Sequence, residues 1–213
     1  MESAQQIFKQ IVTERYSCRS FKDSAIDKES LEYILEAGRL SPSSLGLEPW
    51  RFYVVQDKSQ KLEISKIANY QEHVAHCGAI LIITARLDFG EYFIPKLKGR
   101  NMPQEEIDKR IALYKPFIDG MNAEQKLHYA REQVFLALGN LANAASALGL
   151  GSCIIGGFDS CKLDEYLKLN TQKERSAILL VIGEKTQSEI PQKLRNPKEE
   201  VIKFLQFNQK DSI

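Results

Sequence analysis

The chain has 213 residues, 43% hydrophobic and 27% charged, a composition typical of a globular protein that buries one sizeable core or two small ones. Because 29 basic and 28 acidic residues leave a net charge of +1, the composition gives no support for a nucleic-acid-binding surface or a membrane-attracted face. The four cysteines form no C-x-x-C pair, which argues against a zinc ribbon or a thioredoxin-type site. Free thiols suit a reducing compartment, so we expect a cytoplasmic protein without a membrane span or a signal peptide.

The first half of the chain predicts two helices, a strand, a helix and a second strand. Ser3 and Gln6 form a capping box before an apolar helical face, and this helix is predicted to end near Arg15. Asp27 is predicted to cap the second helix. The other predicted elements are a buried strand within 50–55, a helix at 58–68 and a strand at 79–84 that is covered on both faces.

Residues 86–125 are charged, aromatic and interrupted by glycine and proline, and we expect a less regular, partly helical excursion over the core. The longest helical pattern follows at 124–148, and Gly149 is suited to the position that ends it. Its apolar face is predicted to comprise Leu127, Val134, Leu138, Leu141, Ala145 and Leu148.

After this helix, the pattern predicts a short strand at 153–155, a helix capped by Asp159 and a buried strand at 177–183. Helix signals at 199–207 lack a good hydrophobic face, so the tail from about 187 is predicted to pack on a partner chain. The sequence contains no internal repeat, low-complexity tract or linker. A single domain over 1–213 is therefore the simplest interpretation.

The first candidate site is Arg15-Tyr16-Ser17-Cys18-Arg19, directly after the first helix. Two guanidinium groups and a hydroxyl close in sequence are suited to clamp a phosphate or polarise a carbonyl. The alternative is a charged helix end, because arginine is favoured near a helix C-terminus.

The second candidate is the loop SPSSLGLEP at 41–49, between a helix and a strand. Its hydroxyls and backbone N–H groups, held in a stiff loop, are suited to ring a heterocycle. In the alternative, the loop is a plain connector whose serines bond their own backbone.

The third candidate is the glycine-rich run at 149–159. It is not a dinucleotide-binding fingerprint, because the third glycine is missing and the run follows a helix and precedes a strand. Gly156-Gly157 at a strand end would let a ligand approach the backbone closely, or would form a simple tight turn.

Two further groups carry weaker signals. His73, His76 and Cys77 have helical spacing, but zinc requires a fourth ligand and none is nearby in sequence, so we expect no metal site. Lys193 and Arg195 alternate, so in extended backbone both cations point the same way and suit a phosphate. The alternative for this pair is a solvated tail.

In its order and spacing of motifs, the sequence resembles the nitroreductase family of FMN-dependent oxidoreductases. The motifs are RYSCR, SPSSLGLEPW, the long helix rich in small residues, GSCIIGGFD and KLR. The resemblance runs from about Glu14 to Arg195, and its most specific part is SPSS-x-x-x-x-PW with GFD. Ser17-Cys18 with CIIGGFD is most similar to the branch of oxygen-insensitive nitroreductases that activates nitroimidazole prodrugs. The resemblance implies an α+β fold, a central sheet flanked by helices, in an intertwined homodimer with FMN at two interface sites.

The resemblance also implies residue roles. Arg15, Ser17, Lys193 and Arg195 match positions that hold the phosphate and ribityl chain, and Arg19 matches the cation beside the pyrimidine end of the flavin. The loop at 42–44 matches the segment that packs on a flavin bound mainly by the other subunit, and Gly156-Gly157 match the backbone next to flavin N5. The implied cofactor-binding residues are Arg15, Tyr16, Ser17, Arg19, Pro42, Ser43, Ser44, Gly46, Tyr70, Gln71, Gln133, Ile155, Gly156, Gly157, Lys193 and Arg195.

Some positions depart from the family pattern. Gly156 stands where many relatives carry glutamate, so a side-chain influence near N5 is missing. Asparagine and, three residues later, lysine are frequent where Tyr70 and His73 stand here. Contacts to the pyrimidine edge from this segment would then come from Asn69 or Gln71.

The activity implied by the resemblance is NAD(P)H-dependent two-electron reduction of nitroaromatics, and also of quinones or flavins, by a ping-pong route. We name no catalytic side chain, because the flavin itself carries the redox step. The excursion at 86–125 is expected to form a lid over the pocket. The alternatives are a flavin reductase or specialised dehydrogenase of the same family, and a non-catalytic FMN-binding protein.

Overall fold

The structure, a computed structural model, describes residues 3–205. Within this range the chain forms four β-strands and nine α-helices, with a 3-10 turn at Ser44–Gly46. The strands are β1 (Trp50–Val55), β2 (Ala79–Arg86), β3 (Gly151–Ile155) and β4 (Glu174–Gly183). The helices are α1 (Ala4–Glu14), α2 (Lys28–Arg39), α3 (Lys58–Ile67), α4 (Glu72–Ala75), α5 (Phe89–Lys98), α6 (Gln104–Asp119), α7 (Ala123–Ala147), α8 (Ser160–Tyr166) and α9 (Lys198–Val201).

The four strands form one sheet in the order β1-β2-β4-β3, and every neighbouring pair is antiparallel. The central strands β2 and β4 are buried almost throughout, as their continuous apolar runs predict. The prediction of a buried strand within 50–55 is wrong in one respect, because β1 lies at the edge of the sheet and only its ends, Trp50 and Val55, are buried. Helices combined with an antiparallel sheet confirm the α+β class.

Helices cover both faces of the sheet. On one face α7 packs against all four strands, and α2 packs on α7 so closely that a Cβ added at Gly38 would lie 2.5 Å from Leu141 Cδ2. On the other face Ile64 of α3, Val74 of α4 and Leu163 of α8 join a second apolar cluster. Each fully buried side chain of this size contributes roughly 1.5–3 kcal/mol to folding. Because β3 contacts α7 on one face and this second cluster on the other, both layers hold β3 in place.

Local capping signals predicted the helix starts correctly. Ser3 and Gln6 form the reciprocal capping box of α1, at 3.2 and 2.8 Å. Asp27 accepts from Ser30 N at the start of α2, and Asp159 caps α8. Gly149 follows α7 with a φ of +73°, the left-handed conformation that favours glycine at a helix end.

The region 86–125 is more regular than predicted, because it folds into α5, α6 and the start of α7. Phe89, Phe93 and Leu97, four residues apart, are all buried, and this apolar stripe holds α5 helical despite Pro95. Helix α6 likewise continues through a proline, Pro116.

Two predictions near the ends of helices are also wrong. Leu148 is 41% exposed, because α7 ends at Ala147 and Leu148 lies beyond its apolar face. The tail helix is only α9, and 202–205 are irregular, while the rest of the predicted helix at 199–207 lies outside the described residues. Among residues 3–205, none of the helices is long and apolar enough to cross a membrane.

Candidate functional site

The segment Arg15–Arg19 lies along β3. Ser17 forms a parallel bridge with Ser152, and Cys18 N donates to the Ser152 carbonyl at 2.9 Å. Cys18 is buried in the apolar cluster under the sheet, whereas its neighbours Ser17 and Arg19 are exposed. The buried thiol therefore anchors the segment and presents the two polar side chains on the surface beside β3.

The two glycines after β3 are also exposed, and the loop before α4 fixes their backbone. The side-chain amides of Asn69 and Gln71 both donate to the Gly157 carbonyl at 3.0 Å. The sequence predicted that Asn69 or Gln71 contacts a ligand. Here both amide nitrogens are already bound to the Gly157 carbonyl, so they position Gly157. Tyr70, between them, is 76% exposed, whereas Ile155 is buried in the apolar cluster and paired with Leu179 of β4.

Arg19 lies within electrostatic reach of both α4 and β3. The pKa of His73, in the first turn of α4, is lowered by burial and then by the positive charge of Arg19. The pKa of Cys153 is raised by burial, and Arg19 and the Ser17 hydroxyl oppose that shift. The Nε2 atom of His73 is buried and has no hydrogen-bond partner among residues 3–205.

The tail returns to the end of α1 and adds cations there. Lys193 Nζ donates to the Val12 carbonyl at 2.7 Å. The pKa of Lys193 is lowered by partial burial and then by the like charges of Arg15 and Arg195, so the three cations lie close together. Within the part of the chain that the structure describes, Arg15, Arg19, Lys193 and Arg195 form no ion pair with a carboxylate. Concentrated positive charge without a counter-charge is suited to bind an anion.

The loop at 41–49 forms a second group with α7. Ser44 N donates to Gln133 Oε1 at 2.7 Å. The Ser41 hydroxyl donates to the Ala37 carbonyl at 3.2 Å, and the Ser43 hydroxyl accepts from Glu48 N at 2.8 Å. Only the Ser43 bond lies within the connector, as the plain-loop interpretation predicts, because the Ser41 hydroxyl bonds α2 and also accepts from Asn140 Nδ2 of α7 at 2.8 Å. Pro42 and Ser44 are exposed.

Helix α5 and Arg100, two residues after its end, hold this loop in a strained shape. Leu45, Gly46 and Glu48 all have positive φ, between +50° and +63°. Arg100 Nη2 donates to the Leu45 carbonyl at 3.0 Å, and Lys96 pairs with Glu48 at 2.8 Å. A Cβ at Gly46 would overlap the Arg100 guanidinium. Sequence reasoning missed both basic residues, because they bind loop carbonyls and a carboxylate without belonging to a motif.

The two groups lie on different sides of α7. Gln133 is buried facing the loop, whereas Arg131 and Phe135 are exposed and line a cleft of about 320 Å³ together with Gly156. Two helical positions advance the direction of a side chain by about 200°. Within residues 3–205, no hydrogen bond or ion pair joins the group of Arg15–Arg19, Gly156-Gly157 and Lys193–Arg195 to the group of Pro42–Gly46 and Gln133.

Comparisons with known proteins agree on one family. A profile described as the nitroreductase family matches residues 12–184. Oxygen-insensitive NADPH nitroreductases of Helicobacter acinonychis and Helicobacter pylori are each 33% identical to this chain, over 202 and 203 residues. These matches cover 92% of this chain and 96% of each relative.

Solved structures share the fold. A Bacillus subtilis protein described as the nitroreductase ydfN superposes with a TM-score of 0.87 at 23% identity, covering 94% of this chain and 100% of that one. A protein from Exiguobacterium sibiricum, described as a nitroreductase in complex with FMN, gives 0.84 at 24% identity and covers 93% and 97%. The match to the family profile and the similarity to the two Helicobacter enzymes show that this chain belongs to the nitroreductase family.

Proposed function

We propose that the chain is an FMN-dependent oxidoreductase that uses NADPH or NADH to reduce nitroaromatic compounds by two electrons. The observation that carries this proposal is the group of cations Arg15, Lys193 and Arg195, which form no ion pair within residues 3–205. Arg15 begins the segment that runs along β3, the strand that ends just before the exposed Gly156-Gly157. The names of the two Helicobacter relatives, and FMN in the Exiguobacterium structure, support the same activity.

The residues present fit a flat ring system that carries a phosphate. The three cations supply charge-assisted hydrogen bonds for a phosphate at one end of the site. A Cβ added at Gly156 would have Ile178 Cδ1 as its nearest neighbour, at 3.7 Å, so packing does not demand glycine there. The missing side chain instead leaves the backbone open to a planar ligand.

FMN, when bound, supplies the redox chemistry by accepting two electrons from the nicotinamide and passing them to the acceptor. The chain has three tasks in this proposal. Arg15, Lys193 and Arg195 hold the phosphate, Arg19 stabilises negative charge at the pyrimidine end, and the Gly156-Gly157 backbone orients the ring at N5. None of these tasks requires a side chain to act as a general acid or base.

We infer a homodimer, and the separation of the two groups across α7 supports it. We infer that one FMN is held by Arg15–Arg19 of one chain and covered by the loop Pro42–Ser44 and Gln133 of the other. Large apolar side chains exposed on α1, α7 and the tail support a partner surface, because such groups cost free energy in water. They include Ile7, Phe8, Val12, Phe135, Leu136, Leu194, Val201, Phe204 and Leu205. A monomer in sedimentation that still retains FMN would exclude this arrangement.

We further propose that donor and acceptor use one pocket in turn, with the excursion at 86–125 as its lid. The chain has no dinucleotide-binding fingerprint, so NAD(P)H docks over the open face of the flavin, leaves, and makes room for a nitro compound, a quinone or a free flavin. This order of events gives parallel lines in double-reciprocal plots, the pattern of a ping-pong route. Intersecting lines would show that both substrates are bound together.

The proposed activity is tested by turnover. Purified protein loaded with FMN should oxidise NADPH or NADH when a nitroaromatic is added, and the apoprotein should not. A loaded protein whose flavin neither nicotinamide reduces would instead be a non-catalytic FMN-binding protein.

A further inference from the structure

The loop at 41–49 keeps a backbone shape that costs free energy. Leu45 and Glu48 have φ of +56° and +50°, a left-handed conformation that residues with a Cβ adopt only under strain. Such strain persists where the surrounding structure holds the backbone, and it concentrates at functional sites. The contacts that hold this loop therefore point to the purpose of its shape.

Arg100 holds the loop from outside. Its Nη2 donates to the Leu45 carbonyl at 3.0 Å and lies 3.4 Å from the Gly46 carbonyl, so one guanidinium serves two consecutive left-handed residues. Within residues 3–205, the half-buried Arg100 side chain bonds only these carbonyls and forms no ion pair. Lys96, four residues earlier, adds a bond to the Leu47 carbonyl at 3.3 Å and the ion pair with Glu48. An arginine that is bonded only to loop carbonyls serves the shape of that loop.

Both supports of the loop are themselves fixed in the fold. Leu97 at the end of α5 is 3% exposed in the apolar core, and its carbonyl accepts from Arg100 N at 3.2 Å. On the other side, Gln133 of α7 is buried and accepts from Ser44 N at 2.7 Å. The loop is thus held between α5 and α7, and the side chains of Pro42 and Ser44 remain exposed.

We propose that Arg100 is a positioning residue for the flavin site of the partner subunit. By bonding the Leu45 and Gly46 carbonyls, it keeps Pro42–Ser44 in the shape that covers the FMN bound by the other chain. This inference rests on the proposed function, because it assumes that FMN occupies the site and that two chains share it. Arg100 acts only through the loop in this proposal. Without its side chain the strained backbone relaxes, and the loop covers the flavin for only part of the time.

The first test is titration of the Arg100→Ala apoprotein with FMN and with riboflavin. Loss of the hydrogen bonds should weaken FMN binding roughly three- to tenfold. Riboflavin binding should weaken by the same factor, because the loop covers the ring and not the phosphate. Arg100→Lys keeps a donor for one carbonyl, so its affinities should lie between those of the wild type and Arg100→Ala. This variant also carries the test if the alanine variant does not fold.

The matched control is Arg39→Ala. Arg39 is an exposed arginine shortly before the loop, and it pairs with Glu36 at 2.6 Å instead of bonding loop carbonyls. Its removal takes away the same charge and leaves the loop contacts in place, so both flavins should bind as they do to the wild type. Wild-type affinities in Arg100→Ala, or an equal loss in Arg39→Ala, would overturn the proposal.

A hybrid dimer tests whether Arg100 acts across the subunit boundary. One chain carries Arg100→Ala, the other carries Lys193→Ala with Arg195→Ala, and a different affinity tag on each chain allows purification of the hybrid. Both changes then meet in one site, while the other site is built only from unchanged segments. The hybrid should therefore bind one FMN per dimer with wild-type affinity. If Arg100 acted on the flavin of its own chain or through general stability, neither site would keep wild-type affinity, and the proposal would fail.

These titrations need no nicotinamide or nitro compound, so their outcome does not depend on turnover. A wild-type protein that binds FMN as a monomer would overturn the shared site and this inference, and would leave the flavin chemistry standing. A wild-type protein that binds no FMN would overturn the proposed function, and this inference with it.

Discussion

Replacing both Lys193 and Arg195 with alanine should weaken FMN binding by about two to four orders of magnitude without unfolding the protein. A hydrogen bond from a charged group to a phosphate is worth roughly 1.5–3 kcal/mol, which is about one to two decades of affinity per residue. The two cations share one phosphate, so their effects need not add in full.

The fold should tolerate this change. In the free protein Lys193 bonds only the Val12 carbonyl within the described residues, and Arg195 bonds only the carbonyl of its neighbour Leu194. Lys193 also lies against the like charges of Arg15 and Arg195, and this repulsion disappears in the double variant. We therefore expect the free energy of unfolding of the apoprotein to change by less than about 1 kcal/mol.

Titration of the apoprotein with FMN and with riboflavin separates phosphate binding from ring binding, because riboflavin is the same ring and sugar chain without the phosphate. The double variant should lose affinity for FMN and keep that for riboflavin. Lys198→Ala, at an exposed position in the same tail, is the matched control and should bind both like the wild type. If FMN and riboflavin affinities fell together, or neither changed, the tail cations would not be phosphate ligands.

Three further predictions concern the loop, the flavin edge and pH. Gly46→Ala forces a side chain into a backbone with φ of +63° and against Arg100, so chemical denaturation should show a loss of roughly 1–2 kcal/mol, while Gly156→Ala should unfold like the wild type. Arg19→Ala removes the permanent cation at the pyrimidine end, so stopped-flow reduction by NADPH should slow and EPR should detect more nitro radical; an unchanged rate would remove Arg19 from this role. The folded-state pKa of His73 is lowered, so the unfolded state binds more protons between that pKa and about 6.5. Stability of the apoprotein should fall as pH drops through this window, and urea unfolding of His73→Gln should show a smaller fall.

The sequence predicted the elements whose signals are local. The capping residues Ser3, Asp27 and Asp159 bond to atoms three residues away, so a short stretch contains the whole interaction. The edge position of β1 was not predictable in this way, because strand order depends on pairing between segments far apart in the chain. The prolines of α5 and α6 led to the wrong prediction of a less regular segment at 86–125. In α5, the burial of Phe93 and its neighbours outweighs the local cost of proline.

For the candidate site, the motif order identified the family and the residue types, but tertiary contacts decide what each residue does. The hydrogen bond from Arg100 to the Leu45 carbonyl belongs to no sequence motif, and only tertiary packing brings the two residues together. His73 stood out in the sequence as a departure from the family pattern, whereas its partial burial and the effect of Arg19 on its pKa depend on the fold.

The most direct test of the central claim is a pair of anaerobic half-reactions on the purified FMN-loaded protein, followed by the absorbance of the flavin. One equivalent of NADPH or NADH per flavin should bleach the oxidised spectrum completely. One equivalent of a nitroaromatic, added after the oxidised nicotinamide is removed, should then restore it by accepting two electrons. A flavin that stays oxidised with both nicotinamides, or that stays reduced when the nitro compound is added, would contradict the proposed function.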